Sequence, residues 1–171
     1  MNDASLVIGG TKPAVRLERH LPHSPETVWL AITDREQLGS WFPCDVIVDG
    51  GRWGVGATIK FVFPPDVIDS ELDGTVLVWD PPRKLAYTWG DEVLRFELSP
   101  EDGGTFLVLI DELPPGIAAR NAAGWELCLD RMSETERGAG TWKVLFDAYS
   151  AAFEPTLGLQ EGPPTGCKVD P

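Results

Sequence analysis

The chain has 171 residues, 27 of them acidic and 14 basic, for a formal net charge of −13. Such a surface repels nucleic-acid phosphates and anionic lipid headgroups, and no basic stripe offsets it. Apolar residues make up 43% of the chain, enough for a buried core, and no apolar run approaches the roughly 20 residues of a membrane span.

Residues 1–13 are polar and glycine-containing and read as a flexible N-terminus, with no basic segment or apolar stretch of signal-peptide type. The cytoplasm is the expected location. A first strand follows over 14–21, where Val15, Leu17 and Arg19 alternate with Arg16, Glu18 and His20. Ser24 then offers an N-cap with Pro25 at the first helical position, and Val28, Trp29 and Ile32 form an apolar stripe. Thr33 or Asp34 caps a second short helix that runs to Trp41 and Phe42 and stops at Pro43. From 44 to 111 the period drops to two. Strands over 46–48, 57–63, 72–79, 84–89, 93–98 and 105–111 are separated by Asp-Gly, Pro-Pro and Gly-Asp turns, the pattern of an antiparallel meander.

The longest helical pattern covers 115–137. Ala118, Ala122, Trp125, Cys128, Leu129 and Met132 share one face, while Arg120, Glu126, Asp130, Arg131, Ser133 and Glu134 fall mostly on the other. Pro114 and Pro115 open it, and Gly138 and Gly140 are the stop signals. An extra amphipathic helix spans 141–153, and 155–171, rich in Gly and Pro, reads as a flexible tail. Strands in one run with helices at the ends give an α+β fold in a single domain over 14–154. The long helix is the only element large enough to cover the apolar face of a curved antiparallel sheet of six to seven strands.

Four separated strings carry a family resemblance: PETVWLAITDREQLGSWF (25–42), GTVLVWDPPRKLAYTW (74–89), GGT (103–105) and AARNAAGWELCLDRM (118–132). They resemble the START-like and Bet v 1-like (SRPBCC) superfamily, and within it the bacterial branch named after the activator of Hsp90 ATPase. The resemblance covers 14–153. It implies a helix-grip fold, a sheet wrapped on the long helix with a cavity between them. It is specific for fold and poor for chemistry, because lipid carriers, cyclases, hormone receptors and co-chaperone domains share this architecture. Relatives often carry a histidine near the end of the last strand, where this chain has Asp111, so a role resting on an imidazole does not transfer.

Within that frame the candidate ligand-cavity residues are Trp29, Trp41, Phe61, Phe63, Trp79, Tyr87, Trp89, Phe96, Leu109, Asp111, Trp125 and Leu129. The aromatic members either line a chamber for a flat or greasy ligand or simply fill the core. Asp111 shares parity with Leu107 and Leu109, and is either a polar anchor at the cavity mouth or a cap for the next turn. Gly124 either admits a close neighbour or is a tolerated helix glycine. His20 and His23 form an H-x-x-H pair without a third ligand, so no metal is expected. The cysteines Cys44, Cys128 and Cys167 are odd in number and far apart, which fits neither a disulfide framework nor a zinc site. Cys128 reads as buried and inert, Cys44 as accessible but unactivated. Phe106, Val108 and Ile110 make the second face of the last strand apolar, so either the extra helix or a second copy of the chain is expected to cover it. No cofactor is expected. The leading expectation is binding of a small hydrophobic or aromatic molecule without catalysis. The alternatives are a protein-interaction role resembling the Hsp90-activator domain and, third, a cyclase-like enzyme.

Overall fold

The computed structural model describes residues 3–138 and 141–164. Its strands are β1 (Ser5–Val7), β2 (Ala14–Leu21), β3 (Asp45–Val48), β4 (Thr58–Val62), β5 (Glu71–Asp80), β6 (Lys84–Trp89), β7 (Glu92–Glu101) and β8 (Gly104–Glu112). The helices are α1 (Pro25–Thr33), α2 (Arg35–Leu38), α3 (Ala118–Met132) and α4 (Thr141–Leu157). All neighbouring strands run antiparallel in the order β1-β2-β8-β7-β6-β5-β4-β3. The helix-grip architecture expected from the sequence is present, with one more strand than anticipated. The added strand is β1, from a stretch expected to be loose, where Ser5–Val7 pairs along the outer edge of β2.

Local chemistry explains most boundaries. The Ser24 hydroxyl accepts the Thr27 N–H at 3.3 Å, and Asp34, not Thr33, caps α2 by accepting the Gln37 N–H at 3.1 Å. α2 stops at Leu38, short of the expected Phe42, where Gly39 follows and Phe42 turns its N–H back to the Leu38 carbonyl. The two-residue turn Asp102-Gly103 joins β7 to β8 with positive φ at both positions, the mirror-image turn that matches strand twist. The next glycine is required for a different reason. A Cβ on Gly104 would lie 2.1 Å from the Leu21 carbonyl oxygen, so the β2–β8 ladder closes only around a bare backbone.

The long helix is shorter than its sequence pattern. Pro115–Ile117 form a tight 3-10 turn, regular helix begins at Ala118, and it ends at Met132 rather than at the glycines. Glu134 takes a positive φ, and the Thr135 N–H closes on the Asp130 carbonyl at 2.7 Å. Gly140 lies outside the described residues. No side chain beside α3 caps its first turn. The cap comes instead from the C-terminal stretch: Gln160 Oε1 accepts the Ala119 N–H at 2.9 Å while its Nε2 donates to the Pro115 carbonyl at 3.0 Å. Gln160 is buried, and the Glu161 N–H reaches the Gly116 carbonyl at 2.8 Å, so 158–162 is docked backbone rather than loose tail. Residues 165–171 lie outside the described residues.

α4 extends four residues beyond its expected end and packs along α3 through Leu145, Tyr149 and Phe153. That packing overturns one expectation. Glu126 and Asp130, assigned to the polar face of α3, are both buried. They meet Arg19 and Arg137: Arg19 lies 3.2 Å from Asp130 and 2.9 Å from Asp3, and Arg137 lies 2.9 Å from Glu126 and also pairs with Asp130. The Tyr149 hydroxyl donates to Glu126 and accepts the Ala4 N–H at 2.8 Å.

α4 therefore does not lie on the outer face of β8. The row Phe106, Val108 and Ile110 is flanked by Arg16, Glu18 and His20 on β2 and by Arg95, Glu97 and Ser99 on β7. Arg16 pairs with Glu18, Arg95 with Glu112, and the His20 ring meets Phe106 at 5.0 Å with the two planes tilted by 39°. Long polar side chains lay their aliphatic stems over such a row. Val108 is buried within a single copy of the chain.

Candidate functional site

The expected aromatic residues converge on the space between the sheet and α3. Trp89 on β6 is the hub. Its ring stacks 5.2 Å from Phe61, meets Trp125 of α3 edge-on at 5.2 Å, and touches Phe42 at 5.1 Å and Phe63 at 6.0 Å. Phe61 continues to Tyr87 at 5.5 Å, Tyr87 to Phe96 at 6.1 Å, and Phe96 to Trp41 at 6.4 Å. At the opposite end Trp53 stacks on Trp79 at 5.5 Å and Trp79 meets Trp29 at 5.1 Å. Leu109 and Leu129 are buried in the same core. Eleven of the twelve candidate residues thus belong to, or pack against, one cluster, and Asp111 is joined to it through Trp125. Phe63 and Trp79 stay half-buried at its rim.

A cleft of about 220 Å³ lies elsewhere, between Val28 and Ala31 of α1, Gln37 and Ser40 near α2, and Met132 at the end of α3. Of the twelve candidates only Trp41 lines it.

The polar feature of the core sits at the end of β8. Asp111 is fully buried. Its Oδ2 accepts the Trp125 Nε1–H at 2.9 Å and the Asn121 Nδ2–H at 3.0 Å. Asn121 also donates to Oε1 of Glu92, the first residue of β7. Asp111 Oδ1 receives no N–H or hydroxyl donor among the described residues, and the Glu92 carboxyl lies within hydrogen-bonding reach of the Asp111 carboxyl. Two carboxyl groups this close cannot both ionise cheaply. Burial, then the Asp111 charge, push Glu92 up to about 9. Burial also pushes Asp111 up to about 6, against the stabilising hydrogen bonds from Glu92, Trp125 and Asn121. At neutral pH the pair holds one proton between its two carboxyls.

This arrangement has a stability signature. In the unfolded chain both groups release their protons near the ordinary values of 4.5 and 3.8. Folded, they hold them longer, so their contribution is full below those values and is lost as pH rises through about 6 and then about 9. Glu92→Gln, which carries no titrating proton, is expected to flatten the fall in melting temperature between about pH 6 and about pH 9. An unchanged slope in the variant would show that Glu92 is not the group responsible.

Asp111 does not cap the following turn, since its carboxylate bonds Asn121 and Trp125 of α3 and lies beside Glu92 of β7. Glu92 and Asn121 were not anticipated. Glu92 shares strand parity with Leu94, Phe96 and Leu98, and Asn121 stands one helical turn before Trp125. Trp53 was also missed, because it stands among turn glycines without a period. Gly124 has nothing within 4 Å of a Cβ placed on it, so it is a tolerated helix glycine and not a point of close approach. Cys44, expected to be accessible, is buried, and burial raises the thiol pKa of both Cys44 and Cys128. His20 pairs with Glu101 at 2.7 Å. Among the described residues no group of three or more His, Cys, Asp or Glu side chains is placed to hold a metal.

Residues 22–136 match the family described as activator of Hsp90 ATPase homolog 1-like protein. The chain belongs to this family. The match spans all four strings on which the resemblance rests, together with the β7–β8 hairpin and α3. Solved structures agree on the fold. A conserved protein of unknown function from Enterococcus faecalis superposes with a TM-score of 0.72 at 22% identity, over 89% of this chain and 91% of that one. CalU16 from Micromonospora echinospora gives 0.67 at 19% identity, over 90% and 94%. The Aha1 dimer from Colwellia psychrerythraea gives 0.59 at 22% identity, over 74% and 98%. At these identities the likeness is one of architecture. No curated protein matches the chain. Among the described residues no helix is long and apolar enough to cross a membrane.

Proposed function

We propose that this family member binds a small hydrophobic, aromatic molecule between the sheet and α3 and does not transform it. The observation that carries the reading is the role of Trp125. Its ring is part of the aromatic cluster, through Trp89 and Phe42, and its N–H is aimed at the buried Asp111. An apolar wall with one convergent polar group is the usual composition of a small-molecule site. The ligand is admitted at the rim, where Phe63 and Trp79 are only half-buried. There Trp89 stands between the half-buried Phe63, its ring neighbour, and Glu92, its ladder partner. The chain's acidity and its two buried free thiols suit a reducing compartment, and we place the protein in the cytoplasm.

Native mass spectrometry of freshly purified protein, joined to titration of tryptophan emission with naphthalene-based probes, tests the reading. Saturable quenching that weakens in Trp125→Phe is expected. A clean apo mass together with no response to any probe would transfer the proposal to the runner-up, a protein-interaction role of the kind the family's name describes. Saturable binding with product formation would favour cyclase-like chemistry instead.

A further inference from the structure

The buried acidic groups of this fold are treated in two different ways. Glu126 and Asp130, beneath α4, are met by two guanidinium groups, Arg19 and Arg137. Glu92 and Asp111, at the far end of the same helix, have no Lys or Arg within ion-pairing distance among the described residues. The charge of Arg120 reaches Glu92 and works against the rise in its pKa, but Arg120 makes no ion pair with it: its guanidinium donates to the Gly162 carbonyl at 3.1 Å and faces Glu161. The other titratable groups that face the pair are Glu112 and the buried Tyr87, and neither brings positive charge. Asn121 and Trp125 occupy Asp111 Oδ2 and Asn121 occupies Glu92 Oε1, so Asp111 Oδ1 has no N–H donor among the described residues and only a shared proton joins the two carboxyls.

We propose that the Glu92–Asp111 pair receives the ammonium group of a hydrophobic amine, whose apolar body lies against the aromatic cluster. The proposal rests on the binding reading above and narrows its ligand to one chemical class. An ammonium presents several N–H donors and one positive charge. It donates to both carboxyls at once and neutralises a charge, which the shared proton does for one of them only. The net charge of −13 favours the approach of a cation and opposes that of a carboxylate. A fatty acid, the obvious guess for an apolar chamber, would bring a third carboxylate to a place already short of positive charge. Binding the amine also has a chemical consequence. The ammonium replaces the shared proton, so the pair ionises fully and that proton passes to the buffer.

The test uses three isosteric probes on the full chain: naphthylmethylammonium, naphthylmethanol and naphthoate. Calorimetry at about pH 7.5 in buffers of different ionisation enthalpy reads affinity and proton release together. The ammonium probe is expected to bind at least about tenfold tighter than the alcohol, with naphthoate weakest. It should release up to about one proton per molecule bound, and the alcohol none. Glu92→Gln and Asp111→Asn, each checked for a cooperative thermal melt, should erase the preference for the amine while leaving the alcohol bound. If the wild type binds amine and alcohol equally, or binds the amine without releasing protons, the inference is overturned and the binding function stands. If no probe binds at all, both fail.

Discussion

Trp125→Ala is expected to lower the unfolding free energy by about 3–5 kcal/mol, read as a shift of the denaturant midpoint at constant slope. Two losses combine. The indole is buried and holds Trp89 at 5.2 Å and Phe42 at 5.5 Å, so its removal opens a void in the middle of the aromatic cluster. It also takes away one of the two N–H donors to the buried Asp111, leaving that carboxylate with Asn121 alone beside the Glu92 carboxyl. Trp125→Phe separates the two losses, because it keeps most of the ring and deletes only the donor. That variant should cost about 1–3 kcal/mol, the price of leaving a buried acceptor short. If both variants unfold at the wild-type midpoint, Trp125 is not the keystone between ring cluster and carboxyl pair.

Much of this arrangement is legible in the sequence because two different periods meet in it. The change from alternation in 44–111 to three- and four-residue spacing in 118–132 separates sheet from helix. The Asp-Gly and Gly-Asp turns fix which strands are neighbours. Parity puts Leu107, Leu109 and Asp111 on one face of the last strand, and the family resemblance turns that face inward. β1 escapes this reasoning. Three residues carry no period, and Ser5–Val7 become a strand only through pairing with Arg16, Val15 and Ala14. Gln160 escapes it too, since its role is to cap a helix that begins about 40 residues earlier in the chain.

The carboxyl pair was half visible. Asp111 stood out as an acid on an apolar face. Glu92 was lost because the strand was taken to begin one residue later, at Val93, so its parity with Leu94 was not used. Glu126 and Asp130 were misplaced for a physical reason. Counted on α3 alone they occupy the polar side, and an amphipathic helix normally turns that side to water. Here a second helix covers it, and a covering element leaves no mark in the period of the helix beneath.

The second large effect is expected at that covered face. Glu126→Ala should destabilise the protein by about 3 kcal/mol and loosen α4 before the rest of the chain. Glu126 is fully buried and has three partners: Arg137, the Tyr149 hydroxyl and, at 3.4 Å, the Asp3 N–H. Truncation strands the Tyr149 donor and takes one carboxylate from Arg137, while Asp130 keeps Arg19 and Arg137. The damage therefore falls on contacts that reach outward to α4 and the N-terminal strand, not on the sheet. Hydrogen exchange should rise along 141–157 while β6, β7 and β8 keep their protection. A double-mutant cycle pairing Glu126→Ala with Arg137→Met should show coupling of roughly 0.5–3 kcal/mol, as for residues in one buried network. Should Glu126→Ala shift the midpoint by less than about 0.5 kcal/mol, with exchange in α4 unchanged, α4 is held by Leu145, Tyr149 and Phe153 alone.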